Sequence, residues 1–231
     1  MNNKQILFLL LFSLAAVWSG FAQQKVSILG DSYSTFGGYM TPETNLCWYN
    51  GPDGGKKDND VKTVEQTWWH QLIQEHGLQL EINNSYSGST VCHTGYRKED
   101  YSDRSFITRI HRLGTPDILL VFGGTNDSWA KSPVGEFQYG GWSKQDLYSF
   151  RPAFSYLMHS LRELYPATLI INLTNSELSP EVTESMEAIC RYYGITNIRL
   201  KDVEKQHGHP SIKGMKSIAG QVWEVIRQEQ Q

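Results

Sequence analysis

A chain of 231 residues can bury one sizeable core, and 39% hydrophobic with 19% charged residues is the balance of a globular protein. The formal net charge is −3 and the basic residues are dispersed, which excludes the basic stripe a nucleic-acid partner would need. Three cysteines, Cys47, Cys92 and Cys190, match neither a zinc spacing nor a dense disulfide framework. One bridge, for example Cys47 to Cys92, and free thiols both remain open.

The first segment, MNNKQILFLLLFSLAAVWSGFAQQ, carries Lys4, an apolar run from Ile6 to Val17, and small residues at Gly20 and Ala22. These are the marks of a signal peptide over 1–22, cleaved after Ala22. The apolar run is short for a membrane span and no basic stop follows it. The expected mature chain, 23–231, is then one exported domain, periplasmic or extracellular, with no stable membrane insertion.

Short apolar, β-branched runs follow in order and alternate with amphipathic stretches. Lys25–Leu29, Leu78–Ile82, Asp117–Phe122, Thr168–Leu173 and Thr196–Leu200 read as strands. Thr67–His76, Phe150–Leu164, Pro180–Tyr193 and about Ser211–Gln228 read as helices. Strands that are apolar throughout and alternate with helices imply a parallel sheet covered on both faces. With right-handed crossovers this is a three-layer α/β/α sandwich of about five strands. Two connections, about Thr35–Val64 and Ser128–Lys144, are long for such a fold, and long loops are commonly functional covers or disordered inserts.

In open α/β sheets ligands bind beyond the carboxyl ends of the strands, so the residues leaving each strand matter most. After the first strand comes Gly30-Asp31-Ser32-Tyr33-Ser34, and after the second Asn84-Ser85-Tyr86-Ser87-Gly88-Ser89-Thr90. After the third comes Gly123-Gly124-Thr125-Asn126-Asp127, and before the last helix His209-Pro210-Ser211. Each residue has an ordinary structural reading. Ser32 and Asn126 suit helix caps, and Gly88 suits a turn. Together they supply a serine, two donors for an oxyanion and an imidazole base, the groups an acyl transfer needs.

This ordered set, GDS, SGST, GGTND and HP, resembles the SGNH (GDSL-type) hydrolases and spans nearly the whole mature chain. The resemblance implies a flavodoxin-like sandwich and ester hydrolysis through an acyl-enzyme, with no cofactor. It carries the nucleophile to Ser32 and the base to His209. It carries the oxyanion hole to Ser32 (N–H), Gly88 (N–H) and Asn126 (side-chain amide), and makes Asp31 a structural residue of the turn. The chain departs from the family at Gln206, three residues before the histidine, where an aspartate is usual. A backbone carbonyl, Gln206, Asp202 or Glu204 could take the second N–H of His209. The carbonyl and Gln206 are preferred, because a register shift of two or four residues changes direction as well as distance. A metal site at His207 and His209 is disfavoured, since the other histidines show no matched spacing.

The substrate is less legible. Trp48 and Tyr49 in the first long loop, and Trp129, Phe137, Tyr139 and Trp142 in or beside the second, could stack on sugar rings. An O-acyl carbohydrate, most simply an acetyl ester on a small molecule or polysaccharide, is therefore the leading expectation. Loops packed onto the body by the same aromatics are the plain alternative. A lipid or thioester hydrolase, which would want a continuous apolar groove, is the second enzymatic reading. A catalytically weak carbohydrate-binding protein on the same fold is the third. Arg97, Lys98, Arg104 and Arg109 could bind an acidic sugar, but a solvated charged face is the preferred reading.

Overall fold

The computed structural model describes residues 23–50 and 58–231. The expected signal peptide and the centre of the first long loop lie outside these residues. Five parallel strands form the sheet: β1 (Lys25–Gly30), β2 (Gln79–Ser85), β3 (Ile118–Gly123), β4 (Leu169–Thr174) and β5 (Thr196–Arg199), in the order β2-β1-β3-β4-β5. The expected flavodoxin-like α/β/α sandwich is therefore present.

The alternation of side chains along each strand divides the core in two. In β3, Ile118, Leu120 and Phe122 face one layer while Leu119 and Val121 face the other. The first layer is completed by α1 (Trp68–Glu75) and α6 (Ile212–Glu229), through residues such as Trp68, Leu72, Met215 and Val222. The second is completed by α2 (Phe106–Arg109), α4 (Phe150–Leu164) and α5 (Pro180–Tyr193), through Phe106, Phe154, Leu157 and Met186. Side-chain caps start three helices where the sequence places Thr67, Ser179 and Ser211.

Two local expectations change. β2 runs on through Asn83 and through Asn84 and Ser85, the last two of which had read as the start of a polar turn. Their side chains are satisfied inside, with Asn83 Nδ2 donating to the Ser34 carbonyl and Asn84 Nδ2 to the Arg112 carbonyl. Polar residues can therefore extend a buried strand here without an unpaired amide. Two short helices, α2 and α3 (Thr125–Ala130), and a two-stranded hairpin of β6 (Lys205–Gln206) with β7 (His209–Pro210), were also not anticipated. Strand ends are level, with Gly30 beside Ser85 and Phe122, and Gly123 beside Thr174. The polar turns that follow β1, β2 and β3 thus leave the sheet at one edge.

Candidate active site

Ser32 begins a short 3₁₀ turn (Ser32–Ser34) at the end of β1. Asp31 caps that turn, its Oδ1 accepting the Tyr33 N–H at 3.0 Å. His209 arrives from the far end of the chain on β7 and sets Nε2 2.9 Å from Ser32 Oγ. Its Nδ1 lies 3.2 Å from the His207 carbonyl. A carbonyl can only accept, so this contact requires the proton on Nδ1 and leaves the Nε2 lone pair facing the serine hydroxyl. That is the tautomer a general base needs.

The histidine loop is held from several sides. Tyr33 donates its hydroxyl proton to the Gly208 carbonyl, and Tyr49 donates to the Pro210 carbonyl at 3.0 Å. Asn59 Nδ2 also donates to Pro210 O at 3.1 Å. The Asp60 N–H donates to Gln206 Oε1 at 2.8 Å, and Asp60 Oδ1 accepts the Ile212 N–H at 2.9 Å. Gly208 has φ 78°, and a Cβ there would also meet the Trp129 ring at 3.2 Å. Glycine meets both demands without strain.

These contacts decide among the expected orienting groups. Gln206 points at Asp60 and braces the loop. Glu204 accepts from Ser211 Oγ at 2.7 Å and pairs with Lys213, and Asp202 is exposed on a left-handed turn. Of the groups left open for the second N–H of His209, a backbone carbonyl, that of His207, lies at Nδ1, while the Gln206, Asp202 and Glu204 side chains turn elsewhere. The hairpin turn explains it, since with His207 at φ 50° its own carbonyl folds back onto the ring two residues on.

Gly88 and Asn126 come from the neighbouring strand ends. Gly88 has φ 81°, a left-handed backbone that favours glycine, and the space where a Cβ would lie is open. Asn126, near the start of α3, donates one Nδ2 proton to the Ser89 carbonyl at 3.0 Å. Its Oδ1 accepts from the Tyr96 hydroxyl at 2.8 Å, which fixes the amide's sense and leaves a second N–H to offer. The next residue, Asp127, accepts the Val91 and Cys92 N–H groups at 2.8 and 3.2 Å. The GGTND turn thus clasps the turn that carries Gly88.

Arg109 is the largest departure from the sequence reading. It is 3% exposed rather than part of a solvated face. Its guanidinium donates to the Gly30, Asn84 and Arg104 carbonyls and to Ser89 Oγ, joining the ends of β1 and β2 to the Gly88 turn. A signal was present, because Phe106, Ile107 and Ile110 give FITRI an apolar face with the arginine inside it. Tyr96 had no comparable signal. Arg97 is exposed and paired with Glu99, and Arg104 lies over the Tyr101 ring.

Burial sets the electrostatics under the nucleophile. It pushes the Asp31 carboxyl up to about 7 against the Tyr33 N–H, and Asp127 up to about 6 against the N–H groups of Val91 and Cys92. It pulls Arg109 down to about 9, with the Asp31 charge opposing. Tyr96 is pushed up to about 12 by burial, so it serves as a neutral donor. All three cysteines are free thiols rather than a Cys47–Cys92 bridge. Among the described residues no group of three or more His, Cys, Asp or Glu side chains converges to hold a metal.

The loop aromatics separate. Trp129 is 41% exposed, with its ring edge-on to His209 at 5.9 Å. Trp48 stacks face to face on the His209 imidazole, 3.7 Å between centroids. Two expected substrate contacts are corrected. Tyr49 is 1% exposed and spends its hydroxyl on Pro210, while Trp142 packs on Tyr156 and His159 of α4 and donates its indole N–H to the Gln138 carbonyl. Both are consumed by packing long loops onto the body.

A family model for GDSL-like lipase/acylhydrolases matches residues 24–226. The chain belongs to this family. Among solved structures, this GDSL-like hydrolase is similar to a candidate GDSL-like lipase from Bacteroides uniformis, at 70% identity and TM-score 0.88, covering 89% of this chain and 96% of that one. A second candidate GDSL-like lipase, from Bacteroides ovatus, shares 51% identity at TM-score 0.87, covering 90% and 99%. A family two carbohydrate esterase from Clostridium thermocellum, solved with cellohexaose, shares 14% identity at TM-score 0.57, covering 89% and 64%, a likeness of fold alone. No curated protein matches the chain. Membership places this GDSL-like hydrolase among enzymes that cleave esters.

Proposed function

We propose that this protein is an exported serine esterase that removes an O-acyl group, most simply acetyl, from a carbohydrate. The observation that carries the reaction is the 2.9 Å contact between Ser32 Oγ and an Nε2 left unprotonated by the carbonyl at Nδ1. In this reading Nε2 takes the Ser32 proton as Oγ attacks the ester carbonyl. The negative charge on the carbonyl oxygen is met by the N–H groups of Ser32 and Gly88 and the Asn126 amide. The imidazolium then protonates the leaving sugar oxygen, and water releases the acyl group by the same sequence in reverse.

The carbohydrate reading rests on Trp129, whose half-exposed indole beside His209 offers an aromatic face to a sugar ring. Leu46 favours a longer acyl chain. It is 58% exposed, and its carbonyl accepts the Ser87 N–H at 2.8 Å, which places apolar surface beside the Gly88 turn.

The test is acetate release from acetylated oligosaccharides, set against a series of nitrophenyl esters from acetyl to dodecanoyl. The carbohydrate reading expects acetate release and the highest kcat/KM at the short end, both abolished in Ser32→Ala. Preference for long chains would overturn it in favour of the lipid reading. No Ser32-dependent hydrolysis of any ester would leave only a binding protein.

A further inference from the structure

Ser32 and the His207 carbonyl meet the two imidazole nitrogens of His209, but in-plane contacts at the nitrogens do not define the plane of the ring. An imidazole held only at Nδ1 and Nε2 can still rock about the line that joins them. The structure supplies a third constraint. The Trp48 indole lies parallel to the imidazole within 8°, centroids 3.7 Å apart, and Tyr49 meets the indole edge-on at 4.5 Å.

Trp48 is also tied to the nucleophile. Its backbone N–H donates to Thr35 Oγ1 at 3.0 Å, and the Thr35 hydroxyl donates to the Ser32 carbonyl at 3.0 Å. One threonine therefore links the backbone that carries the stacking ring to the backbone that carries the attacking oxygen. An aromatic placed to bind sugar has no need of such a link, and one face of this indole is already covered by the base.

We propose that Trp48 is a positioning residue for His209, its indole face holding the imidazole plane and stabilising the imidazolium that forms when Ser32 gives up its proton. The inference rests on the acyl-transfer reading above. The physical basis is the negative face of the indole π system, which attracts a cation and exceeds that of Tyr or Phe. Neutral imidazole gains little from that field, so the contact strengthens as the charge develops. An interaction made mainly with the charged form lowers the barrier rather than tightening the ground state.

Other groups also face this base. Asp31 lies under the Ser32 turn, and the Tyr33 and Tyr49 rings sit 5.3 and 6.3 Å from the imidazole. Lys205 on β6 places Nζ 6.0 Å from the Tyr33 ring, Asp60 holds the start of α6, and Asp58 lines a cavity with Trp48 and His207. All remain when only residue 48 is changed, so the difference between variants reports the indole.

The experiment follows the His209 imidazole by NMR titration in wild type, Trp48→Phe and Trp48→Leu. Loss of the π face in Trp48→Leu should lower the His209 pKa by about 0.4–1.5 units, with Trp48→Phe between. On acetyl ester the same variant should lower kcat and leave KM nearly unchanged. A polyfluorinated tryptophan at position 48, which keeps the ring's shape but drains its π charge, should reproduce the pKa shift and also covers the case that Trp48→Leu does not fold. An unchanged or raised His209 pKa in the fluorinated protein overturns the proposal. The titration needs no turnover, so it stands or falls separately from Ser32-dependent hydrolysis, whose absence would overturn the esterase reading instead.

Discussion

Replacing Arg109 by Met is the sharpest test of how the site is held. The substitution keeps an unbranched apolar side chain of similar reach and removes the guanidinium. Five bonds disappear: to the Asn84 carbonyl, to Asn84 Oδ1 at 3.3 Å, to Gly30 O at 3.1 Å, to Ser89 Oγ at 3.0 Å and to Arg104 O at 3.0 Å. Some acceptors keep other donors. Gly30 O retains the Tyr86 N–H, Asn84 Oδ1 retains the Asn45 amide, and Ser89 Oγ still donates to Tyr86 O. The Asn84 and Arg104 carbonyls lose the guanidinium, at about 1–3 kcal/mol each where no water replaces it. Contact with the Phe106 ring, 4.7 Å from the guanidinium carbon, is kept in part by the Met side chain. Relief of the desolvated cation offsets part of the loss, since burial already drags Arg109 down to about 9. The net expectation is a loss of about 3 kcal/mol, read by urea unfolding at neutral pH with an unchanged slope. In the fraction that folds, kcat should fall more than KM rises, because Gly30 precedes the nucleophile and Ser89 follows Gly88. A change below about 1 kcal/mol with normal kcat would refute the view that Arg109 ties these turns together. Exposed Arg97→Ala is the control and should stay within about 0.5 kcal/mol.

Asn126→Ala should lower kcat about 10²–10³-fold through loss of one oxyanion donor, and the Ser89 carbonyl and Tyr96 hydroxyl it leaves without their amide partner should cost about 1–3 kcal/mol of stability. Tyr96→Phe removes the bond that fixes the Asn126 amide and should cost kcat less than Asn126→Ala does; equal loss in the two would mean the tyrosine acts on substrate directly. The buried carboxyls also predict a pH trend. Asp31 and Asp127 hold their protons more tightly folded than unfolded, so their contribution is full below about pH 4 and is lost as pH rises to about 7 and 6. For Asp31 the rise from 3.8 to about 7 corresponds to a loss on the order of 4 kcal/mol. His93, lowered by burial, opposes this on the acid side. The difference between wild type and Asp31→Asn in urea at pH 4.5 and 7.5 isolates the effect. The variant should gain on wild type as pH rises, and a constant difference would contradict it.

Local pattern was enough for much of this molecule. The apolar run DILLVF could only be a strand buried on both faces, and Ser179-Pro180 and Ser211 marked helix starts that the structure uses. The polar turns after successive strands were legible for the same reason. Once strands and helices alternate, the carboxyl ends must share an edge, and Gly30, Ser85 and Gly123 do end level. What stayed hidden depends on side-chain direction between distant residues. Whether Arg109 points out or in, whether Gln206 turns to His209 or to Asp60, and whether Trp48 faces a ligand or the base are not set by periodicity. Those choices follow from unsatisfied carbonyls at strand ends and from loops that must bury their aromatics, and both exist only after the sheet has formed. The sequence alone determined which residues reach the active edge. Only the tertiary structure decided how they are held there, because the sequence separation of 177 between Ser32 and His209 is bridged by packing and not by any local rule.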